Sequence, residues 1–81
     1  MTPADARSLI GQALARIAPG SDLDDVDPDE PLTDELDLDS MDLLALLTAL
    51  HESTGLELPE SDAGQLRTLA GAIDYLVAKS G

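Results

Sequence analysis

A single serine, Ser40, stands between the most acidic and the most apolar stretches of this 81-residue chain, within the segment DELDLDSMDLLALLTAL. A nucleophilic serine needs a base within hydrogen-bond reach, and a third group must orient that base. The chain has one histidine, His51, which a continuous helix would place about 16 Å away at a rise of about 1.5 Å per residue. No GxSxG turn surrounds the serine. The residues therefore argue against catalysis by this chain, and leave a hydroxyl that another enzyme could modify.

Ser40 is also expected at the start of a helix. Either Asp39 or Ser40 suits the N-cap, and Asp42 adds a carboxylate to the first turn. A simple capping role is the plainest interpretation of such a serine. Here, however, flanking acids, a long loop and an unusually apolar helix converge on one hydroxyl. A helix N-terminus suits a phosphate ester because its free N–H groups and its dipole favour an anion.

The helix that follows carries more apolar residues than one buried face requires. It is predicted from about Ser40 to Ser53, with Gly55 stopping it. Two stripes recur at helical spacing: Leu43, Leu46, Leu47 and Leu50 in one, and Met41, Leu44, Ala45 and Thr48 in the other. We expect the first stripe to face the core. The second indicates either deeper burial or a docking surface beside Ser40.

The remaining helices follow from caps and apolar periodicity. Leucine and alanine dominate the hydrophobic residues, which favours helices over strands. We predict an all-α fold, a small four-helix bundle with three longer helices, one short helix and a long loop between the first two long helices.

The predicted first helix has Thr2 as N-cap, Pro3 at its first position, Asp5 completing a capping box and Pro19-Gly20 at its end. The short helix is predicted over about Glu60 to Leu66, and the last one begins after Thr68 and buries Leu69, Ile73, Leu76 and Val77.

Residues 20–39 are predicted to form a long acidic loop that packs across the helices. Isolated apolar residues recur in it: Leu23, Val26, Leu32, Leu36 and Leu38. An EF-hand can be tested in the register that starts at Asp25, but Glu30 replaces the required glycine and Leu36 replaces the bidentate glutamate. We therefore expect a solvated acidic loop and no metal site.

Composition sets the broad class. The formal net charge is −13, with four basic residues against seventeen acidic ones. Nucleic acids and anionic membranes would be repelled, whereas partners with basic patches would be attracted. Cysteine is absent, which excludes disulfides and thiolate metal sites and fits a reducing compartment. With no recognisable signal sequence and no stretch long enough to cross a bilayer, we expect one cytoplasmic domain over residues 1–81, present as a monomer.

The segment LDLDSMDLLALLTALHESTGLELPE resembles the modification site and second helix of acyl carrier proteins. Asp39-Ser40-Met41 fills the place of that family's Asp-Ser-Leu hallmark. GLELPE is similar to the step into the family's short third helix, and TLAGAIDYLVA to its capped last helix. The resemblance spans essentially the whole chain, with four segments in the right order.

The resemblance implies a non-catalytic carrier. Ser40 would receive 4′-phosphopantetheine from a transferase that uses coenzyme A, and the terminal thiol would hold an acyl group as a thioester. Asp39 would help the transferase and its magnesium to engage the serine. Partner enzymes, namely acyl ligases, synthases and transferases with basic or apolar docking patches, would contact Met41, Asp42, Leu44, Ala45, Thr48 and Glu52. An acyl chain sequestered between the helices would suit the leucine-rich interior.

The sequence departs from the family pattern in two regions, the approach to the serine and the partner face of the second helix. Asp37 stands where a glycine is usual, three residues before the serine. The partner face has Ala45, Thr48 and His51 where fatty-acid carriers repeat glutamates. We expect recognition by apolar contact and by the acidic loop, which points to a specialised standalone carrier in fatty-acid, polyketide or other acyl metabolism.

Two simpler interpretations and two further functions complete the predictions. His51 is expected to be a solvated imidazole near a helix C-terminus, and Tyr75 to be a packing residue with its hydroxyl at the surface. An aminoacyl or peptidyl carrier is an alternative, although Leu38-Asp39 before the serine fits the acyl kind better. An unmodified helical interaction module remains a second alternative.

Overall fold

The computed structural model describes residues 1–81 and is built from helices. Four are α-helices: α1 (Pro3–Ile17), α2 (Leu32–Glu35), α3 (Ser40–Thr54) and α4 (Leu69–Ser80). Two 3₁₀ helices, Leu23–Asp25 and Glu60–Leu66, lie between them. The prediction of an all-α bundle with three longer helices is confirmed, and the predicted short helix is the second 3₁₀ segment. None of the helices is both long and apolar enough to cross a membrane.

The ends of α1 are set by the residues that the sequence pattern indicated. Thr2 is the N-cap, its hydroxyl accepts the Asp5 amide at 3.1 Å, and the Asp5 carboxylate accepts the Thr2 amide at 3.2 Å. This reciprocal capping box satisfies two amides that the first turn leaves free. The helix ends at Ile17 before Pro19-Gly20, and Gly20 has a φ of 90°, a left-handed conformation that glycine adopts readily.

The loop between α1 and α3 packs against the bundle, as predicted, but it is more regular than expected. Val26, Leu32 and Leu38 are buried, while Leu23 and Leu36 are half-buried against the core. The Leu23–Asp25 and Leu32–Glu35 helices within it were missed. Helices this short gain little from local propensity, so the burial of their leucines decides whether they form.

The core lies between α1, α3 and α4, with contributions from both connecting segments. All of its 17 buried residues are apolar or aromatic, and eight side chains are fully enclosed: Ile10, Leu14, Leu32, Leu46, Leu47, Leu50, Leu66 and Leu76. From α4, Leu69, Ala72, Tyr75 and Leu76 are buried, whereas the predicted Ile73 and Val77 are only partly so.

The inner face of α3 is rotated slightly from the prediction. Leu46, Leu47 and Leu50 are buried as expected, but Leu43 is half-buried and outside the core cluster. Ala49 takes a core position instead, at 8% exposure. The core placement of Leu43 was therefore wrong. Leu43 lies in the first turn of α3, beside the exposed Ser40 and Met41, and the buried residues of this helix begin one turn later at Leu46.

Candidate functional site

Ser40 is the first residue of α3, and its side chain lies at the surface. Asp39 is the N-cap, which resolves the choice between these two residues. Its carboxylate accepts the Asp42 amide at 2.9 Å, and the Asp42 carboxylate accepts the Asp39 amide at 3.0 Å. Because the aspartates make this capping box themselves, the Ser40 hydroxyl is not required to hold the helix and is free to react.

Two backbone amides beside the hydroxyl are also free. Neither the Ser40 nor the Met41 amide has a hydrogen-bond partner within the chain. Free amides at a helix N-terminus attract an anion, with the helix dipole adding to the effect. The donor set at this hydroxyl therefore fits a phosphate ester. Asp39 and Asp42 make the surroundings of the hydroxyl acidic.

The chain reaches Ser40 through a sharp change of direction at Asp37. Its φ of 54° makes Asp37 the only non-glycine residue with a positive φ. The next residue, Leu38, is buried and anchors the chain before Asp39 caps α3. This left-handed position coincides with the departure from the family's glycine. Asp37 therefore adopts the left-handed conformation without a glycine, and aspartate tolerates this conformation better than most residues.

The second apolar stripe of α3, Met41, Leu44, Ala45 and Thr48, lies at the surface and is not deeply buried. Met41 is 70% exposed and Leu44 is half-buried outside the core cluster. Ala45, Thr48 and Glu52 are exposed along the same face, and the Thr48 hydroxyl is turned back to donate to the Leu44 carbonyl oxygen at 3.0 Å. The predicted partner residues thus form a surface strip on α3 that starts beside Ser40, in which Asp42 and Leu44 are half-buried and the other four residues are exposed.

The His51 ring and the Tyr75 hydroxyl both have hydrogen-bond partners within the chain. His51 is exposed in the last turn of α3, and its Nδ1 hydrogen-bonds the Leu56 carbonyl oxygen. Tyr75 is buried to 8% exposure, and its hydroxyl donates to the Asp62 carboxylate at 2.8 Å. The pKa of Tyr75 is raised to about 12, mainly because the residue is buried and secondly because the Asp62 carboxylate lies beside its hydroxyl. The packing role expected of Tyr75 is confirmed, and its hydroxyl is hydrogen-bonded to Asp62, whose side chain is 28% exposed, while the Lys79 side chain lies above the ring.

Sequence reasoning missed a groove between the C-terminal part of α1 and α3. It has a volume of about 370 Å³ and is lined by Arg16, Ile17, Ala45, Thr48, Ala49 and Glu52. The α3 residues share a helical face that the sequence reveals. Arg16 and Ile17 could not be assigned to it, because the pairing of α1 with α3 is a tertiary contact.

Comparison with known proteins adds an independent finding. The family described as "Phosphopantetheine attachment site" matches residues 7–76. An acyl carrier protein of Solidesulfovibrio magneticus is 37% identical over 62 residues, covering 76% of this chain and 80% of that protein. One from Rubrobacter xylanophilus is 36% identical over 58 residues, covering 72% of each chain. One from Chlamydia caviae is 34% identical over 77 residues, covering 95% of this chain and 94% of that protein.

Proposed function

This chain belongs to the acyl carrier protein family, and from that premise we propose that its 4′-phosphopantetheine is attached to Ser40 and presents an acyl group to partner enzymes. Carriers of this family are not catalysts, and they hold 4′-phosphopantetheine covalently. When attached, that group supplies a thiol on which an acyl group is held as a thioester. The chain's own residues display the hydroxyl, orient it and provide the surface that enzymes recognise.

One observation carries the assignment to Ser40: the hydroxyl is exposed at the start of α3 and has no capping task. Asp39 and Asp42 cap the helix reciprocally, so esterification of the serine breaks no hydrogen bond of the fold. The Ser40 and Met41 amides have no partner within the chain and are available to donate to a phosphate on the serine. Asp39, next to the serine, is the residue we assign to engaging the phosphopantetheinyl transferase and its magnesium.

The exposed strip of α3 is the surface we assign to partner enzymes. It combines one strongly exposed apolar side chain, Met41, with half-buried Leu44 and the small surface residues Ala45 and Thr48. Asp42 and Glu52 are its two acidic positions. We propose acyl ligases, synthases or transferases as its partners, in fatty-acid, polyketide or other specialised acyl metabolism of the cytoplasm. The carrier domain, residues 1–81, would act as a monomer.

Intact mass spectrometry tests the attachment site. The unmodified chain is incubated with coenzyme A, magnesium and a broad-specificity phosphopantetheinyl transferase, alongside Ser40→Ala and Ser53→Ala. Ser53 is a matched control because it is exposed on the same helix. We expect one phosphopantetheine to be gained by the wild type and by Ser53→Ala, and none by Ser40→Ala. A gain in Ser40→Ala would overturn the assignment, and no gain by any folded chain with several transferases would favour an unmodified interaction module.

Alanine scanning of the strip tests how partners recognise it. Met41→Ala and Leu44→Ala are compared with Asp42→Asn and Glu52→Ala, using the rate of acyl loading by the cognate ligase or transferase. We expect each apolar truncation to lower kcat/KM by about tenfold, equivalent to about 1.4 kcal/mol. Recognition dominated by Asp42 and Glu52, with neutral Met41 and Leu44, would contradict this assignment.

A further inference from the structure

The groove between α1 and α3 combines an apolar floor with two opposite charges. Ile17 and Ala49 line its base, and the exposed side chains of Arg16 and Glu52 line its rim. A cleft with an apolar floor can admit an apolar side chain from another protein. The charges at its rim determine which side chains would be accepted there.

Arg16 makes no ion pair, although the chain has a net charge of −13. Two of the other three bases do: Arg7 lies 2.9 Å from Asp24, and Lys79 lies 3.6 Å from Asp62. Glu52 also has no cationic partner within ion-pair distance. The groove therefore presents one free cation and one free anion, and it differs from the uniformly acidic surface of the preceding loop.

The groove continues the strip that begins at Ser40. Ala45 and Thr48 belong to both surfaces. At about 1.5 Å per residue, the groove starts about 8 Å along α3 from Ser40 and extends to about 18 Å at Glu52. An enzyme that covers the strip to reach a group on Ser40 would therefore also cover Arg16.

We propose that Arg16 is a specificity-determining residue, and that the groove receives a segment of a partner enzyme that places a carboxylate opposite Arg16 and a cation opposite Glu52. This inference rests on the proposed carrier function. An enzyme whose docking patch is uniformly basic would bring a cation against the guanidinium, and like charges at an interface are disfavoured. Arg16 thus selects against enzymes that serve carriers with uniformly acidic faces.

The first test uses such an enzyme as the probe. Arg16→Glu and Arg67→Glu chains, both confirmed by mass to carry phosphopantetheine, are offered to a malonyl-coenzyme A transferase with a uniformly basic docking patch. Arg67 is a matched control because it is exposed, makes no ion pair and lies outside the groove. At low salt we expect Arg16→Glu to raise kcat/KM by about 3- to 10-fold and Arg67→Glu to change it less than about twofold. The gain should shrink as salt screens the charges.

The second test exchanges charges across the contact. Each lysine and arginine of the transferase patch is changed in turn to glutamate, and each variant is assayed with the wild-type and the Arg16→Glu chains. We expect at least one of these variants to prefer the wild-type chain, because its new carboxylate then faces Arg16. Equal effects of Arg16→Glu and Arg67→Glu, or the absence of any variant with reversed preference, would overturn the inference.

The two tests separate this inference from the function on which it rests. If the chains do not acquire phosphopantetheine on Ser40, the proposed function fails before any transfer is measured. If they are modified and accept the malonyl group but do not distinguish the charge at position 16, only the role of Arg16 fails. Circular dichroism of each variant confirms that the fold is unchanged.

Discussion

The beginnings of α3 and α4 are both capped, yet they are held in different ways. At α4, the Leu32 amide donates to the Arg67 carbonyl oxygen at 2.7 Å, and the Ala70 amide donates to that of Pro28 at 3.0 Å. These bonds tie the long loop to the helix start. At α3, the hydrogen bonds of Asp39 stay within its own helix. The start of α4 is thus hydrogen-bonded to the preceding loop, whereas the start of α3 leaves the Ser40 side chain exposed.

The difference follows from burial. The loop segment that meets α4 includes Leu32, which is fully enclosed, whereas Ser40 and Met41 are exposed. Backbone groups that meet at a buried seam must find partners within the chain. At an exposed helix start, water or a ligand can bind the free backbone groups, so the start of α3 needs only its local cap. Four changes can break or sharpen this contrast.

Truncating Leu32 should have the largest effect. Leu32→Ala removes a fully enclosed side chain from the seam, and such truncations cost about 2–5 kcal/mol. In a domain of this size that is a large fraction of the stability. Met41→Ala, at a side chain that is 70% exposed, should change the free energy of unfolding by less than about 0.5 kcal/mol. Urea unfolding gives the free energy of unfolding of both variants. Similar losses of stability in the two would show that the starts of α3 and α4 do not differ in this way.

Crowding the start of α4 should have the next largest effect. A Cβ at Gly71 would lie 3.0 Å from the Thr68 hydroxyl oxygen and 3.2 Å from the Gln65 carbonyl oxygen, while one at Gly64 would meet nothing within 4 Å. Gly71→Ala should therefore destabilise by about 1 kcal/mol despite its better helix propensity. Gly64→Ala should be neutral or stabilising by up to about 1 kcal/mol. The Tm values of the two variants give the comparison. A higher Tm for Gly71→Ala than for the wild type would mean that the Thr68 side chain moves aside at little cost.

Alkaline pH should loosen α4 through Tyr75. Since its pKa in the fold is about 12, above the ordinary value of 10.0, its contribution to stability is complete below pH 10. It should then be lost as the pH rises toward 12. Tyr75→Phe should remove this alkaline dependence and cost about 1 kcal/mol at neutral pH, because the hydrogen bond to Asp62 is lost. Urea unfolding from pH 8 to 12 tests this, and an unchanged pH profile in Tyr75→Phe would assign the dependence to another group.

Relieving the turn before Ser40 should have the smallest effect. Asp37→Gly removes a side chain from a left-handed backbone position, a gain partly offset by the greater freedom of glycine in the unfolded chain. We expect a net stabilisation of about 0.5 kcal/mol, or a rise of a few degrees in Tm. Asp37→Ala should instead destabilise, because alanine tolerates this conformation less well than aspartate. Equal Tm values for Asp37→Gly and Asp37→Ala would indicate that the turn is not strained.

Local signals predicted the long helices and the place of Ser40. Thr2, Thr68 and Gly55 mark the helix ends where the pattern indicated them, because caps and stops act within about four residues along the chain. The same locality placed Ser40 and Asp39 at the start of α3. The periodicity of α3 also revealed two apolar stripes, although not which of them would be buried at each turn.

Tertiary packing decided the rest. The short helices of the long loop, the exchange of Leu43 for Ala49 in the core and the Asp62 partner of Tyr75 all depend on neighbours distant in sequence. So does the groove whose lining includes both Arg16 and Glu52. The sequence alone determined an acidic, all-helical chain with Ser40 at a capped helix start, since these features arise from composition and short-range bonds. The carrier function was indicated by its resemblance to acyl carrier proteins. The tertiary structure decided which face of α3 is displayed and which charges border it, because the rotation of each helix is set only when all side chains pack together.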